Sequence, residues 1–152
     1  MSSLPVRVAD LVPHGRPALL IETVSALHED GIDCVGTVPA DFALAREGLA
    51  PAFVGLEIAA QAAAIYEALR RGVEDGGSVR RVGFLVSLRH VRLEQPDLPV
   101  GVPLMASVRS LGGAGSLRQY EARIELDGST VVRGTLGTFV PGADGLGAWP
   151  SR

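Results

Sequence analysis

From Leu49 to Tyr66 every residue is apolar, glycine or proline except Glu57 and Gln61. That run constrains the fold more than any other feature of the chain. Pro51 lies near its head, and proline is tolerated in the first turn of a helix, so the pattern predicts a helix from Pro51 to about Arg71, ending before Gly72. A surface helix shows an apolar stripe backed by a polar face. This one shows no polar face until Glu67, Arg70 and Arg71. Its first turns must therefore be buried nearly all round. Ala59, Ala60, Ala62, Ala63 and Ala64 make it thin, so other backbone can approach closely.

The flanking sequence supplies strands to cover such a helix. Ala18 to Leu27 and Ile32 to Val38 are rich in Leu, Ile and Val and enclose the turn Glu29-Asp30-Gly31, which reads as a hairpin. Ahead of them, Val8 to Val12 suggests a single helical turn. Pro39 to Ala50 has no clear period and is a long connection. After the polar loop Glu74 to Gly77, three segments alternate with period two. Val82, Phe84, Val86 and Leu88 share one face, as do Val102, Leu104, Ala106 and Val108, and then Tyr120, Ala122, Ile124 and Leu126. The reverse of the third segment, Gln119, Glu121, Arg123 and Glu125, is a solvated side. Gly112 to Gly115 joins two strands, and Asp127-Gly128 signals a hairpin leading into Val131 to Val140. One helix and five to six strands make an α+β domain. Because the helix is apolar all round, a curved antiparallel sheet must wrap it, which is the hot-dog architecture. The domain is expected to span residues 1–141, with 142–152 as a flexible tail.

Composition narrows the function classes. The chain has 152 residues, enough for one domain, and 47% of them are hydrophobic. A net charge of -3 does not suit nucleic acid as the main partner. All 14 cationic side chains are arginine, and without lysine there is no Schiff-base chemistry. The one cysteine, Cys34, excludes an internal disulfide and a Cys-rich metal site, and its strand setting points to packing. No signal peptide and no membrane span is read from the chain, so the expected compartment is the cytoplasm. No cofactor is expected.

Glu57 is the first candidate for chemistry. Two turns into an apolar helix, it stands too far in for a simple cap. Burial disfavours the charged form of a carboxylate, which is how such groups become general acids or bases near neutrality. Gln61, one turn along the same face, can orient it. The structural alternative is a glutamate paired with an arginine of a neighbouring strand or subunit. His14, in Leu11-Val12-Pro13-His14-Gly15-Arg16-Pro17, is held in a proline-bracketed loop and titrates in a useful range; alternatively it ties the N-terminal segment to the domain. His28 reads as exposed at a turn and His90 as a strand-surface residue. The three histidines lack metal-ligand spacing. Gly113-Ala114-Gly115 lacks the strand-to-helix context of a dinucleotide loop. Arg70, Arg71, Arg80 and Arg81 read as a solvated rim, or as a dock for an acidic carrier or its phosphate.

Several stretches resemble a known family. LVPHGRPALL, from Leu11 to Leu20, resembles the Leu-Pro-His-Arg-x-Pro-x-Leu-Leu opening of FabZ-type dehydratases. PAFVGLEIAAQA, from Pro51 to Ala62, resembles their helix motif Pro-Gly-Val-x-x-x-Glu-Ala-x-Ala-Gln-Ala. Gly101-Val102-Pro103-Leu104 falls where they have Pro-Gly-Asp-x-Leu. Among relatives the chain most resembles the ApeP-like dehydratases of aryl-polyene pathways, which share the His-x-x-Pro opening and the Glu-x-x-x-Gln helix. The resemblance implies loss of water from a 3-hydroxyacyl thioester carried by acyl carrier protein or coenzyme A. It assigns proton transfer to Glu57, its orientation to Gln61, and polarisation of the thioester carbonyl to the helix start at Ala52 and Phe53.

The family's base is a histidine in a His-Phe-Pro-Gly loop. Its place here falls near Ala43, and no histidine lies between His28 and His90. Three routes stay open: His14 supplies the base, a His-bearing hot-dog partner brings it, or dehydration has been lost. The resemblance to ApeP-like systems implies the partner. The rival functions are a hot-dog thioesterase using the helix carboxylate, and a non-catalytic pairing subunit. An open strand edge predicts at least a homodimer or heterodimer.

Overall fold

A computed structural model describes residues 7–12, 15–75 and 83–141. After one 3-10 turn at Val8–Asp10, the chain forms β1 (Ile21–Leu27), β2 (Gly31–Gly36), β3 (Leu49–Pro51), α1 (Val54–Asp75), β4 (Phe84–Leu93), β5 (Asp97–Pro99), β6 (Leu104–Ala114), β7 (Leu117–Leu126) and β8 (Ser129–Phe139). Six strands make one sheet in the order β1-β2-β6-β7-β8-β4, every neighbouring pair antiparallel. The short β3 and β5 pair separately. The 22-residue α1, about 33 Å long, packs across β1, β2, β6, β7 and β8. This is the hot-dog arrangement that the apolar helix required.

The core forms where the helix meets the concave face of the sheet. Ile58, Ala59, Ala62, Ala63 and Ile65 face Leu104, Ala106, Val108, Tyr120, Ala122, Ile124 and Leu136, all of them buried. The period-two readings of β6 and β7 hold, and Gln119, Glu121 and Arg123 lie exposed on the convex face. Two contacts show how closely the backbones approach. A Cβ at Gly36 would lie 3.2 Å from Ile58 Cγ2, and one at Gly55 would lie 2.9 Å from Val132 Cγ2. Asp127 and Gly128 both have positive φ, 50° and 78°, the left-handed pair that suits a two-residue hairpin between β7 and β8.

Several boundaries differ from the sequence reading. Pro51 does not open the helix; it ends β3, opposite Asp97 of β5, and α1 begins at Val54. A three-residue strand containing proline carries no period-two signal, and proline is tolerated at such an edge position. The helix also runs through Gly72 to Asp75, since one glycine costs a helix only about 1 kcal/mol. β1 starts at Ile21 rather than Ala18, because residues 16–18 form a turn containing a cis Arg16-Pro17 bond. The connection from Pro39 to Ala50 holds a tight reversal at Glu47-Gly48, closed by reciprocal backbone bonds between Arg46 and Leu49 of 2.8 and 3.0 Å.

β4 runs on to Leu93, with a register shift between Arg89 and Arg92 where His90 takes φ 52°. It is an edge strand, and its apolar side chains are uncovered: Phe84, Val86 and Leu88 are 47%, 54% and 44% exposed. Val82 and the tail 142–152 lie outside the described residues. Among the described residues no helix is long and apolar enough to cross a membrane.

Candidate active site

With α1 starting at Val54, Glu57 falls in the first helical turn rather than two turns in. Its carboxylate therefore lies in the favourable field of the helix N-terminus. It is half-buried, on the one stripe of the helix that the sheet leaves uncovered. Gln61 sits one turn below and is 1% exposed. Its Nε2 donates to Glu57 Oε1 at 3.0 Å and to the Ala18 carbonyl at 2.8 Å, and its Oε1 accepts the Leu20 amide at 2.8 Å. Both amide protons are thus assigned, which fixes the orientation of the group. Gln61 has no donor left for a substrate. Its place is beneath Glu57, holding that carboxylate and clamping the 18–20 segment onto the helix.

A cavity of about 190 Å³ opens along this stripe. Glu57, Ala60 and Ala64 form one wall, Leu11 closes one side, and Phe84 and Leu85 of β4 stand at another. Farther along the same stripe lies Glu67, which sequence reasoning took only as the start of the polar end of the helix. It accepts hydrogen bonds from the hydroxyls of Tyr120 and Thr138, the latter at 2.9 Å, and its other oxygen lies 3.7 Å from Arg71. Burial, reinforced by the Glu67 carboxylate, pushes the Tyr120 hydroxyl above its usual range, so it stays a donor. The spacing Glu57, Ala60, Ala64, Glu67, Arg71 follows one helical face and was legible in the sequence.

The helix start differs in detail from its expected role. Ala52 is buried, and its amide already donates to the Pro96 carbonyl at 2.9 Å. Phe53 is 50% exposed. The first amides of a helix have no intrahelical partner four residues back. Gly55 and Leu56 here bond back to Ala52 and Phe53, which leaves the amides of the exposed Phe53 and the buried Val54 at the helix start.

His14 lies outside the described residues, as do Arg80 and Arg81. The segment that follows His14 is the one Gln61 holds, and Leu11 before it lines the Glu57 cavity. Ala43, where the resembled family has its histidine, is exposed and offers a carbonyl to Arg46 at 3.0 Å. His28 is exposed, as expected, but pairs at 2.7 Å with Asp33 rather than with its sequence neighbours. Asp33 also accepts from Ser107 and Arg109. Burial raises the Asp33 carboxyl, but the bonds from His28, Ser107 and Arg109 outweigh it and hold the pKa below its ordinary 3.8. Cys34 is fully buried, and burial pushes its thiol up to about 12, so it packs and does not react.

The chain matches the model of one protein family, ApeP-like (ApeP dehydratase), over residues 6–146. Among solved structures it resembles the dehydratase heterocomplex ApeI:P from Xenorhabdus doucetiae, with a TM-score of 0.81 and 25% identity over 93% of this chain and 95% of that one. More distant likenesses show the fold alone. They include the TT0310 protein from Thermus thermophilus, with a TM-score of 0.58 and 21% identity over 80% of this chain and 92% of that one. Another is a hypothetical thioesterase with coenzyme A from Streptococcus pneumoniae, with a TM-score of 0.59 and 13% identity over 80% and 86%. No curated protein matches the chain.

Proposed function

The chain belongs to the ApeP-like dehydratase family, and on that premise we propose that Glu57 is the proton-transfer group of a 3-hydroxyacyl thioester dehydratase completed by a second hot-dog subunit. The observation that carries the reading is the Glu57–Gln61 pair. A carboxylate in the first turn of the helix lines the cavity, and a buried amide with every proton assigned sets its orientation.

In this mechanism the amides of Phe53 and Val54 polarise the thioester carbonyl, which acidifies the adjacent C–H. A base removes the α-proton, the electron pair forms the new double bond, and Glu57, entering the step as the carboxylic acid, gives its proton to the 3-hydroxyl, which leaves as water. Gln61 holds Glu57 and does not touch the substrate. Ala43 cannot act as the base, so it comes from the partner's histidine or from His14. The uncovered β4 edge and the heterocomplex formed by the Xenorhabdus relative support a partner subunit. The acyl group is carried by acyl carrier protein or coenzyme A, and the reaction takes place in the cytoplasm. Residues up to 141 form the working domain.

The test is dehydration of a 3-hydroxyacyl carrier protein, followed by mass, with the chain alone and with a His-bearing hot-dog partner. Loss of water with the partner, reduced about 10²–10⁴-fold by Glu57→Gln, is the expected result. Full activity of that variant in the complex would remove Glu57 from the mechanism. A thioesterase is the second reading, favoured by a helix carboxylate lining the cavity and by alanine, not histidine, at position 43. Release of free thiol without an enoyl product would establish it instead. A complex unaffected by every substitution in this chain would leave it a pairing subunit.

A further inference from the structure

The convex face of the sheet carries a feature that the dehydratase reading does not use. Arg92 of β4 stands directly opposite Arg133 of β8, and Arg133 stands directly opposite Arg123 of β7. Directly paired residues of an antiparallel sheet point to the same side, so three guanidinium groups form one row across three adjacent strands. Like charges directly opposite each other are destabilising, and this row belongs to a chain whose net charge is -3. Its neutralisation within the chain is slight. Arg133 lies 3.6 Å from Glu94, with both side chains nearly half exposed. Among the described residues neither Arg92 nor Arg123 makes an ion pair.

The row lines a cavity of about 280 Å³, larger than the one beside Glu57. His90, at the β4 register shift with a φ of 52°, also lines it, and Thr135 and a single acidic residue, Glu121, complete the polar lining. Glu121 lies opposite Arg109 and Thr135, in a different row. Three arginines against one glutamate leave a cationic cavity with donors in fork geometry.

We propose that this cavity binds a phosphate-bearing ligand across the row Arg92, Arg133 and Arg123. Guanidinium forks match phosphate oxygens in paired hydrogen bonds. A phosphate monoester carries close to two negative charges at neutral pH, opposite in sign to the excess of the lining. The proposal does not depend on the dehydration reading, because binding is measured without turnover.

The experiment is thermal unfolding of the full chain at low ionic strength, in inorganic phosphate, in coenzyme A, and in sodium chloride of matched ionic strength. Phosphate is expected to raise the Tm beyond the chloride control. Arg123→Gln and Arg133→Gln are each expected to weaken the apparent affinity about tenfold, whereas Arg46→Gln, in the exposed loop before β3, leaves it unchanged. Without phosphate the two variants should be at least as stable as the parent, because repulsion within the row is relieved. A shift with coenzyme A larger than with phosphate, and lost in the Arg123→Gln, Arg133→Gln double variant, identifies a nucleotide-linked source at this row; an equal row-dependent shift identifies a simple phosphate. No stabilisation beyond chloride, or an undiminished response in the Arg123→Gln, Arg133→Gln double variant, overturns the proposal.

Discussion

Replacing Gln61 by leucine keeps the volume of a fully buried side chain and removes all three of its hydrogen bonds. The cost follows from where each partner lies. The amide of Leu20, a residue with no exposed surface, loses its acceptor in a place water does not reach, and a stranded buried donor costs about 1–3 kcal/mol. The Ala18 carbonyl belongs to an exposed residue and Glu57 lines an open cavity, so both regain water at little cost. The expected loss is therefore about 1–3 kcal/mol, a Tm drop of roughly 3–10 °C for a chain of this size. It is measured by thermal and urea unfolding at fixed protein concentration, because any partner that binds the folded state shifts the midpoint. Gln61→Glu sharpens the test. It keeps an acceptor for Leu20 but replaces the donor to Glu57 with a second acceptor, so it should destabilise the fold at neutral pH at least as much as Gln61→Leu. A Gln61→Leu loss below about 0.5 kcal/mol, the ordinary range of surface substitutions, would refute the claim that this amide clamps the 18–20 segment.

Other outcomes follow from the same structure. Cys34 should resist a thiol-specific reagent at pH 8 until the protein unfolds. Its folded pKa of about 12 against an ordinary 9.0 means that stability is intact below 9.0 and falls as pH rises above it, which an unfolding series in pH would show. Asp33, whose carboxyl is held below 3.8, contributes stability above that value and loses it as pH falls; Asp33→Asn should flatten the acid limb of the Tm-versus-pH curve. Val86→Lys on the exposed edge strand β4 should leave the fold intact and weaken association with a hot-dog partner at least tenfold, as measured by sedimentation. Gly55→Ala should destabilise by about 1 kcal/mol or more, because the added methyl meets Val132, a stiff branched side chain, in spite of the better helix propensity of alanine.

The sequence by itself determined the architecture. A helix with no polar face over its first turns, flanked by segments of period two, leaves one solution, in which a sheet curves around it. Periodicity is a local property, so the faces of β6 and β7 and the Asp127-Gly128 hairpin were legible residue by residue. Glu57 and Gln61 were legible as the two polar groups in an apolar run. Tertiary structure decided the rest, because pairing partners distant in the chain cannot be read from a local pattern. Pairing with Asp97–Pro99 drew Leu49–Pro51 into a strand and moved the helix start to Val54, which brought Glu57 into the first turn. The Pro96 carbonyl took the Ala52 amide. The reach of Gln61 back to Ala18 and Leu20, more than 40 residues away, is a contact that no local pattern carries. The arginine row likewise exists only through strand register, since Arg92, Arg123 and Arg133 are ordinary surface residues until three strands set them side by side.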